Sequence, residues 1–293
     1  MLFSIIIPVY NAENYIRNCL ISVLLQSFTD FEVVIINDGS TDSTLRILEE
    51  FEDFDCRIKV YNFPNGGITE ARKRGVRLAK GKYVIFVDSD DTINDDLLLN
   101  LSSTIRKFPD VEVIRFKAIR ENDKPGLDIE LHNSGKRFDE LITGIEAIKD
   151  WHNPSKRYEL FWLYALKKTK AEMIFSSPNF TTSGDYAMVP IIIASSKYVV
   201  MIDYIGYYYT CDNVVSLTHL PGEEKIKKRT RNFILAAKFV TENMKKIVND
   251  TGEDFSFFYE DWKKRLLKRY YLLDKKLQEE LKPEFEQVLQ MKV

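Results

Sequence analysis

The chain has 293 residues, 45% hydrophobic and 29% charged, with a formal net charge of −2; it is ordinary globular material, and nothing global draws it to nucleic acid. No apolar run approaches the ~18 residues of a membrane span, and Leu2 to Val9 is too short, and lacks the basic flank, for a signal peptide. Cys19, Cys56 and Cys211 show no CxxC spacing, so they read as reduced packing residues of a cytoplasmic protein, neither disulfide framework nor zinc site.

SIIIPVY (Ser4 to Tyr10) is a buried-strand pattern, and Asn11 can cap the helical spacing of Ile16, Leu20, Val23 and Leu24 behind it. Phe31 to Ile36 repeats the strand, with Thr41 or Asp42 capping a helix through Phe51. Arg57 to Tyr61 is a weaker strand. Thr69 to Ala79 is a helix entered through Asn65-Gly66-Gly67, and Tyr83 to Val87 is again a short, continuous apolar strand. Strand and helix thus alternate four times without Asn-Gly hairpins. That pattern predicts an α/β fold with a mostly parallel sheet flanked by helices.

Three polar loops then fall at carboxyl ends of strands: Pro8 to Tyr10, Asn37-Asp38-Gly39 and Asp88-Ser89-Asp90. Open α/β sheets bind ligands there. The carboxylates of Asp88, Asp90 and Asp91 repel one another unless a hard cation is shared among them. Mg²⁺ or Mn²⁺ held by one or two of them keeps positions free for substrate phosphates. The alternative is that Asp90, Asp91 and Thr92 simply start the next helix. There is no GxxxxGK[ST] and no GxGxxG after a strand, so neither a P-loop nor a dinucleotide fold is indicated.

After a strand at Val111 to Phe116 the pattern loosens. Ile119 to Arg137 reads as a hairpin or long loop, Thr143 to Trp151 as a helix, and ELFWLYAL (Glu159 to Leu166) as dense aromatic packing. In that run Trp162 is either core or a pocket wall on which a sugar ring stacks. Asp185, ahead of an apolar helix from Tyr186 to Ala194, is explained locally as an N-terminal acid. Val199 to Ile202 and Ile205 to Thr210 are expected as two strands. From Pro221 onward two amphipathic helices divided at Thr251-Gly252 form a helical hairpin. This tail carries 17 Lys+Arg against 13 Asp+Glu, whereas the first 220 residues carry 25 against 31. Its basic runs, Lys225 to Lys246 and Lys263 to Lys276, are a solvated face, an anchor on an anionic inner leaflet, or the flanks of a homodimer interface.

SIIIPVYNAENYIRNCL, EVVIINDGSTDST, NGGITEARKRG and GKYVIFVDSDD together resemble glycosyltransferase family 2, the nucleotide-sugar-dependent enzymes of GT-A fold. The resemblance is specific from Ser4 to Asp91, looser to Thr218, and absent from the C-terminal helices. It implies a GT-A domain over 1–220, with a nucleotide-sugar half (1–117) and an acceptor half (118–220), followed by a helical extension over 221–293. It also implies that Pro8 and Tyr10 line the base pocket and that Asp38 accepts from a uracil N–H. Arg72 would approach the base or diphosphate, and Asp88, with Ser89 beside it, would hold the ribose or support the metal. Asp90 would ligate the divalent cation, Asp91 would face the sugar or acceptor, and Asp185 would be the catalytic base. Gly184 replaces the Glu that the family places before that base, Lys73 replaces an Asn, and the segment Tyr207 to Cys211 lacks the family's Arg. Ser216 and Thr218 fit, and His219 is a candidate further metal ligand.

The implied activity is inverting, metal-dependent transfer of a hexose or N-acetylhexosamine from a UDP-sugar to a glycan or lipid-linked glycan in bacterial surface polysaccharide synthesis. A sugar-phosphate nucleotidyltransferase would need a Gly-rich basic N-terminal loop that this sequence lacks. A non-catalytic nucleotide-sugar or glycan-binding module of the same fold is the remaining alternative.

Overall fold

Seven consecutive buried residues, FSIIIPV, form β1 (Phe3–Val9), and FEVVIIN forms β2 (Phe31–Asn37). Such runs belong to strands covered on both faces, and α1 (Ile16–Leu24), α2 (Thr44–Phe54) and α3 (Ile68–Leu78) lie between the strands in sequence. The computed structural model describes residues 1–120, 136–152, 159–210 and 223–291. β1 pairs in parallel with β2, Val9 opposite Asn37, and with β4 (Tyr83–Phe86), Ile6 opposite Phe86; β3 (Ile58–Asn62) extends the sheet beyond β2. From β1 the chain therefore proceeds to β2 and β3 on one side and to β4 on the other. That reversal opens a crevice at the carboxyl ends of β1 and β4.

Beyond β4 the sheet is mixed. Its order is β3-β2-β1-β4-β7-β6-β8-β5. β7 (Tyr164–Lys167) runs antiparallel to both β4 and β6 (Val113–Arg120), while β8 (Val199–Tyr209) is parallel to β6. The expected pair of strands is thus one strand, whose register against β6 shifts around Lys117 to carry the polar Asp203. Thr92, which in the alternative reading starts a helix with Asp90 and Asp91, instead forms β5 with Ile93 against Tyr208 and Tyr207 of β8; α4 (Leu97–Lys107) starts later. Asn11 does not cap α1 either. It adopts a left-handed φ of 49° and accepts from the Thr41 amide at 2.8 Å, tying the loops after β1 and β2 together.

α5 (Gly144–Trp151) precedes β7, the short α6 (Lys168–Ala171) follows it, and α7 (Gly184–Ala194) leads to β8. The C-terminal part contains three helices in place of the expected hairpin: α8 (Glu223–Thr251), α9 (Ser256–Tyr271) and α10 (Lys275–Leu289). Asp274 ends the apolar continuity between the last two by accepting from the Leu277 amide at 2.9 Å as an N-cap. Phe233, Ala237, Val240 and Met244 form the buried stripe of α8. The helix packs on α7, Phe180 meets Phe239 at 5.9 Å, and Asn232 accepts from the Thr181 amide at 2.8 Å. The extension thus buttresses the helix that carries Asp185.

Candidate functional site

Loops after β1, β2 and β4 converge as the alternation predicts. Tyr10 stands 51% exposed just past β1, whereas Pro8 is buried within the strand opposite Ile36. Asp38 is 4% exposed, and its carboxylate accepts from the amides of Gly66 at 2.9 Å and Gly67 at 2.7 Å and from Arg74 Nη1 at 3.1 Å. Gly39 makes this approach possible: its φ is +77°, and a Cβ there would lie 2.8 Å from the Asn65 nitrogen. The motifs NDG and NGG are therefore one structure. A carboxylate offers about four lone-pair positions, and three are used, leaving Asp38 capacity for one more donor.

Arg72 lies at the centre. It is 4% exposed; Nη1 donates to Asp185 Oδ1 at 2.6 Å and Nη2 to Asp88 Oδ1 at 3.3 Å. Its guanidinium lies 5.1 Å from the Phe161 ring centre and 5.8 Å from that of Phe86. The sequence-based expectation brought Arg72 to the base or diphosphate. In the structure each terminal nitrogen meets a carboxylate, one from each half of the fold. Asp185 sits in the first turn of α7, and its second oxygen accepts from the Phe161 amide at 3.1 Å. Two fixed donors so orient a carboxylate that remains 17% exposed to the crevice.

Burial pushes the Asp88 carboxyl up to about 6, with the like charges of Asp90 and Asp185 adding to it against the opposing pull of Arg72. Ser89 and Asp90 are partly exposed beside it. Among the described residues no three His, Cys, Asp or Glu side chains come together as a complete metal cage. The donors at this turn are hard carboxylate oxygens whose mutual repulsion a divalent cation would relieve, which fits Mg²⁺ or Mn²⁺ held by one or two side chains.

Two expected site residues are placed elsewhere. Asp91, expected to face the sugar, is fully buried: Oδ2 accepts from the Tyr207 hydroxyl at 2.6 Å and Oδ1 from the Thr210 amide at 2.8 Å. Burial, with Asp88 and Asp90 nearby, raises its carboxyl well above the ordinary range. The same Tyr207 oxygen accepts from the Asp88 amide at 3.1 Å, so β8 fixes the aspartate turn at both ends. Trp162 is 3% exposed and stacks on Tyr207 at 4.5 Å and on Tyr209 at 5.8 Å, each with 13° between planes. It backs Tyr207 and offers no face to an acceptor. Ser216, Thr218 and His219 lie outside the described residues.

Sequence reasoning singled out the segment Tyr207 to Cys211 without the hydrogen-bonding role of Tyr207, and missed the Phe161 amide and Arg74. Arg74 lies two residues beyond Arg72 in a segment already singled out; the other two are set by β7 and β8 pairing and leave no local signal. Gly184 is buried in the first turn of α7, where an added Cβ would meet Phe180 and the Thr69 hydroxyl at 3.2 Å. The space of the missing Glu is thus filled by neighbours.

Residues 4–164 match the family described as glycosyl transferase family 2. The chain is 40% identical over 121 residues to a Streptococcus pneumoniae protein named glycosyltransferase GlyA, covering 41% of this chain and 17% of that one. It is 45% identical over 95 residues to Pasteurella multocida chondroitin synthase, covering 32% and 10%. It therefore spans less than a fifth of the length of each of these two relatives. S. aureus TarS in complex with UDP-GlcNAc shares the fold, with a TM-score of 0.64 at 21% identity over 99% of this chain and 87% of that structure. With the matched segment extending over more than half of its residues, and running from β1 through the aspartate turn to the start of β7, the chain belongs to glycosyl transferase family 2.

Proposed function

We propose that the protein is an inverting, cation-dependent glycosyltransferase moving a hexose or N-acetylhexosamine from a UDP-sugar to a hydroxyl of a free or lipid-linked glycan, in bacterial surface polysaccharide synthesis. The observation that carries this reading is the Asp88–Arg72–Asp185 bridge, which sets a carboxylate from α7 across the crevice from the aspartate turn. Relatives named for polysaccharide synthesis and a structural neighbour holding UDP-GlcNAc support the substrate class. The catalytic domain is 1–220 and the extension 221–293, and the reaction belongs to the cytoplasm, where nucleotide sugars are made.

In this reading Pro8, Tyr10 and Asp38 receive the base, and Asp88 and Ser89 the ribose and diphosphate. Asp90, with Asp88 beside it, would hold Mg²⁺ or Mn²⁺, which when bound neutralises charge developing on the diphosphate oxygens. Asp185 takes the proton of the acceptor hydroxyl. That oxygen forms its bond to the anomeric carbon, and the bond from this carbon to the terminal phosphate oxygen breaks, its electron pair leaving with UDP. One in-line displacement inverts the centre, so an α-linked donor gives a β-glycoside. Arg72 and the Phe161 amide keep Asp185 aimed while one lone pair on each of its oxygens remains for the proton.

The test is a screen of UDP-, GDP-, dTDP- and CMP-sugars with Mn²⁺, Mg²⁺ or EDTA, reading thermal shift and nucleotide release. A metal-dependent shift confined to UDP compounds, with slow UDP release that Asp185→Asn abolishes while binding persists, is the expected result. Binding without release from the unaltered protein would favour a non-catalytic module, and no binding with any metal would overturn the reading.

A further inference from the structure

The basic balance of the C-terminal helices divides into two populations. Some of the cations are spent within the fold: Lys227 pairs with Glu280 at 2.5 Å, Arg231 with Glu284 at 3.0 Å, Lys276 with Glu223 at 2.8 Å and Arg265 with the buried Glu159 at 2.8 Å. Lys263 meets Glu260 at 3.0 Å, and Arg269 lies over the Phe233 ring. Lys264, Lys268 and Lys275 are exposed and make no ion pair among the described residues. Interleaved with them in sequence are Leu267 at 37% exposure and the two most exposed large apolar residues of the described extension, Tyr271 at 71% and Leu272 at 77%.

Their spacing explains the grouping. Lys264, Leu267, Lys268 and Tyr271 recur at i, i+3, i+4 and i+7 and so share one face of α9, opposite the buried Trp262 and Leu266; exposed Leu272 and Lys275 follow directly, at the end of α9 and the start of α10. The carboxylates on this surface are few or engaged: Glu260 is with Lys263, and Asp274 is held by the Leu277 amide, leaving Glu279 exposed on α10. A helix face of this kind, with an aliphatic and aromatic tip ringed by lysines whose stems can lie along apolar surface, matches the boundary of an anionic bilayer. A two-fold dimer through the same patch would set lysine against lysine over only three apolar side chains. No helix of the described residues is long and apolar enough to cross a membrane.

We propose that the exposed face of α9, Lys264 to Leu272 with Lys275, docks the protein on an anionic lipid surface. Leu267, Tyr271 and Leu272 enter the headgroup boundary, and the three lysines meet lipid phosphates. This does not depend on the reaction proposed above.

Flotation of the full chain tests it, using phosphatidylcholine vesicles with and without phosphatidylglycerol. Three proteins are compared: the unaltered chain, Tyr271→Ser/Leu272→Ser, and Lys264→Ser/Lys268→Ser/Lys275→Ser. The unaltered chain should float only with the anionic vesicles. The lysine variant should lose about a hundredfold in partitioning, given roughly a fivefold contribution per basic residue near such a surface, and the apolar variant should also fail to float. Because every altered side chain is exposed, melting temperatures should be unchanged, so loss of flotation reports the surface and not the fold. Absence of flotation, or equal flotation of all three proteins, overturns the proposal. So does sedimentation of the unaltered chain as a dimer that the Tyr271→Ser/Leu272→Ser variant splits.

Discussion

The two halves of the sheet specify their contributions to the crevice in different ways. In the parallel half each site residue follows its own strand by a few positions: Tyr10 after β1, Asp38 after β2, Asp88 to Asp90 after β4. In the mixed half the corresponding groups are delivered by pairing. The Phe161 amide arrives just ahead of β7, Tyr207 on β8, and Asp185 on a helix supported by α8. A motif written along the chain therefore describes the parallel side of the crevice, while the mixed side depends on contacts that span 24 residues for Phe161–Asp185 and 116 for Tyr207–Asp91.

The sharpest way to break this comparison is at the bridge between the halves. Asp185→Asn keeps the shape and removes the proposed base, so kcat should fall by about 10²–10⁴-fold, with a UDP-induced thermal shift retained. Arg72→Met tests the other end. It leaves Asp185 and Asp88 without their shared cation, and breaking a buried pair costs about 3–5 kcal/mol. Both carboxylates keep some solvent contact, at 17% and 29%, so the lower end applies. Chemical denaturation should show a loss of about 3 kcal/mol. A variant as stable as the original would mean that the halves are joined elsewhere.

Tyr207→Phe sharpens the comparison within one side. The hydroxyl serves Asp91 at 2.6 Å and the Asp88 amide at 3.1 Å, so its removal leaves a fully buried carboxylate short of a donor, at a cost of about 1–3 kcal/mol. If β8 positions the aspartate turn, donor KM should rise more than kcat falls. An unchanged KM with reduced stability would make Tyr207 packing alone.

Much of the parallel half was legible because continuous apolar runs and Gly-containing turns are local signals. Asp91 shows where such reading fails. Its neighbours Asp88 and Asp90 suggest a shared task, yet its side chain points to β8, and nothing nearby in sequence announces Tyr207. Trp162 fails for the same reason: an aromatic at a wall and one in a stack look alike until Tyr207 and Tyr209 are brought beside it. The third C-terminal helix was hidden because Leu266, Tyr270, Leu273 and Leu277 keep helical spacing straight across the break, which the Asp274 cap alone marks.

Local signals do persist in the mixed half, and α5 gives the smallest test of that. Thr143 and Glu146 form a reciprocal capping box: the Glu146 amide donates to the Thr143 hydroxyl at 3.2 Å, and the Glu146 carboxylate accepts from the Thr143 amide at 2.8 Å. The hydrogen bonds from the Thr143 backbone and hydroxyl, joined by Arg137, hold the Glu146 carboxyl down at about 2 against an ordinary 4.5. A depressed folded value means that the ionised form stabilises the helix, with the benefit complete above the ordinary value and lost as pH falls from there toward 2. The carboxylate is 48% exposed, so solvent screening limits the effect, and a lost cap is worth about 1 kcal/mol or less here. Glu146→Gln should therefore lower the melting temperature by a few degrees at neutral pH. The gap between the two proteins should hold down to about pH 5 and narrow below it. A gap that stayed constant through pH 4 would assign the difference to Gln packing and not to the charge, and α5 would then owe its start to Thr143 alone.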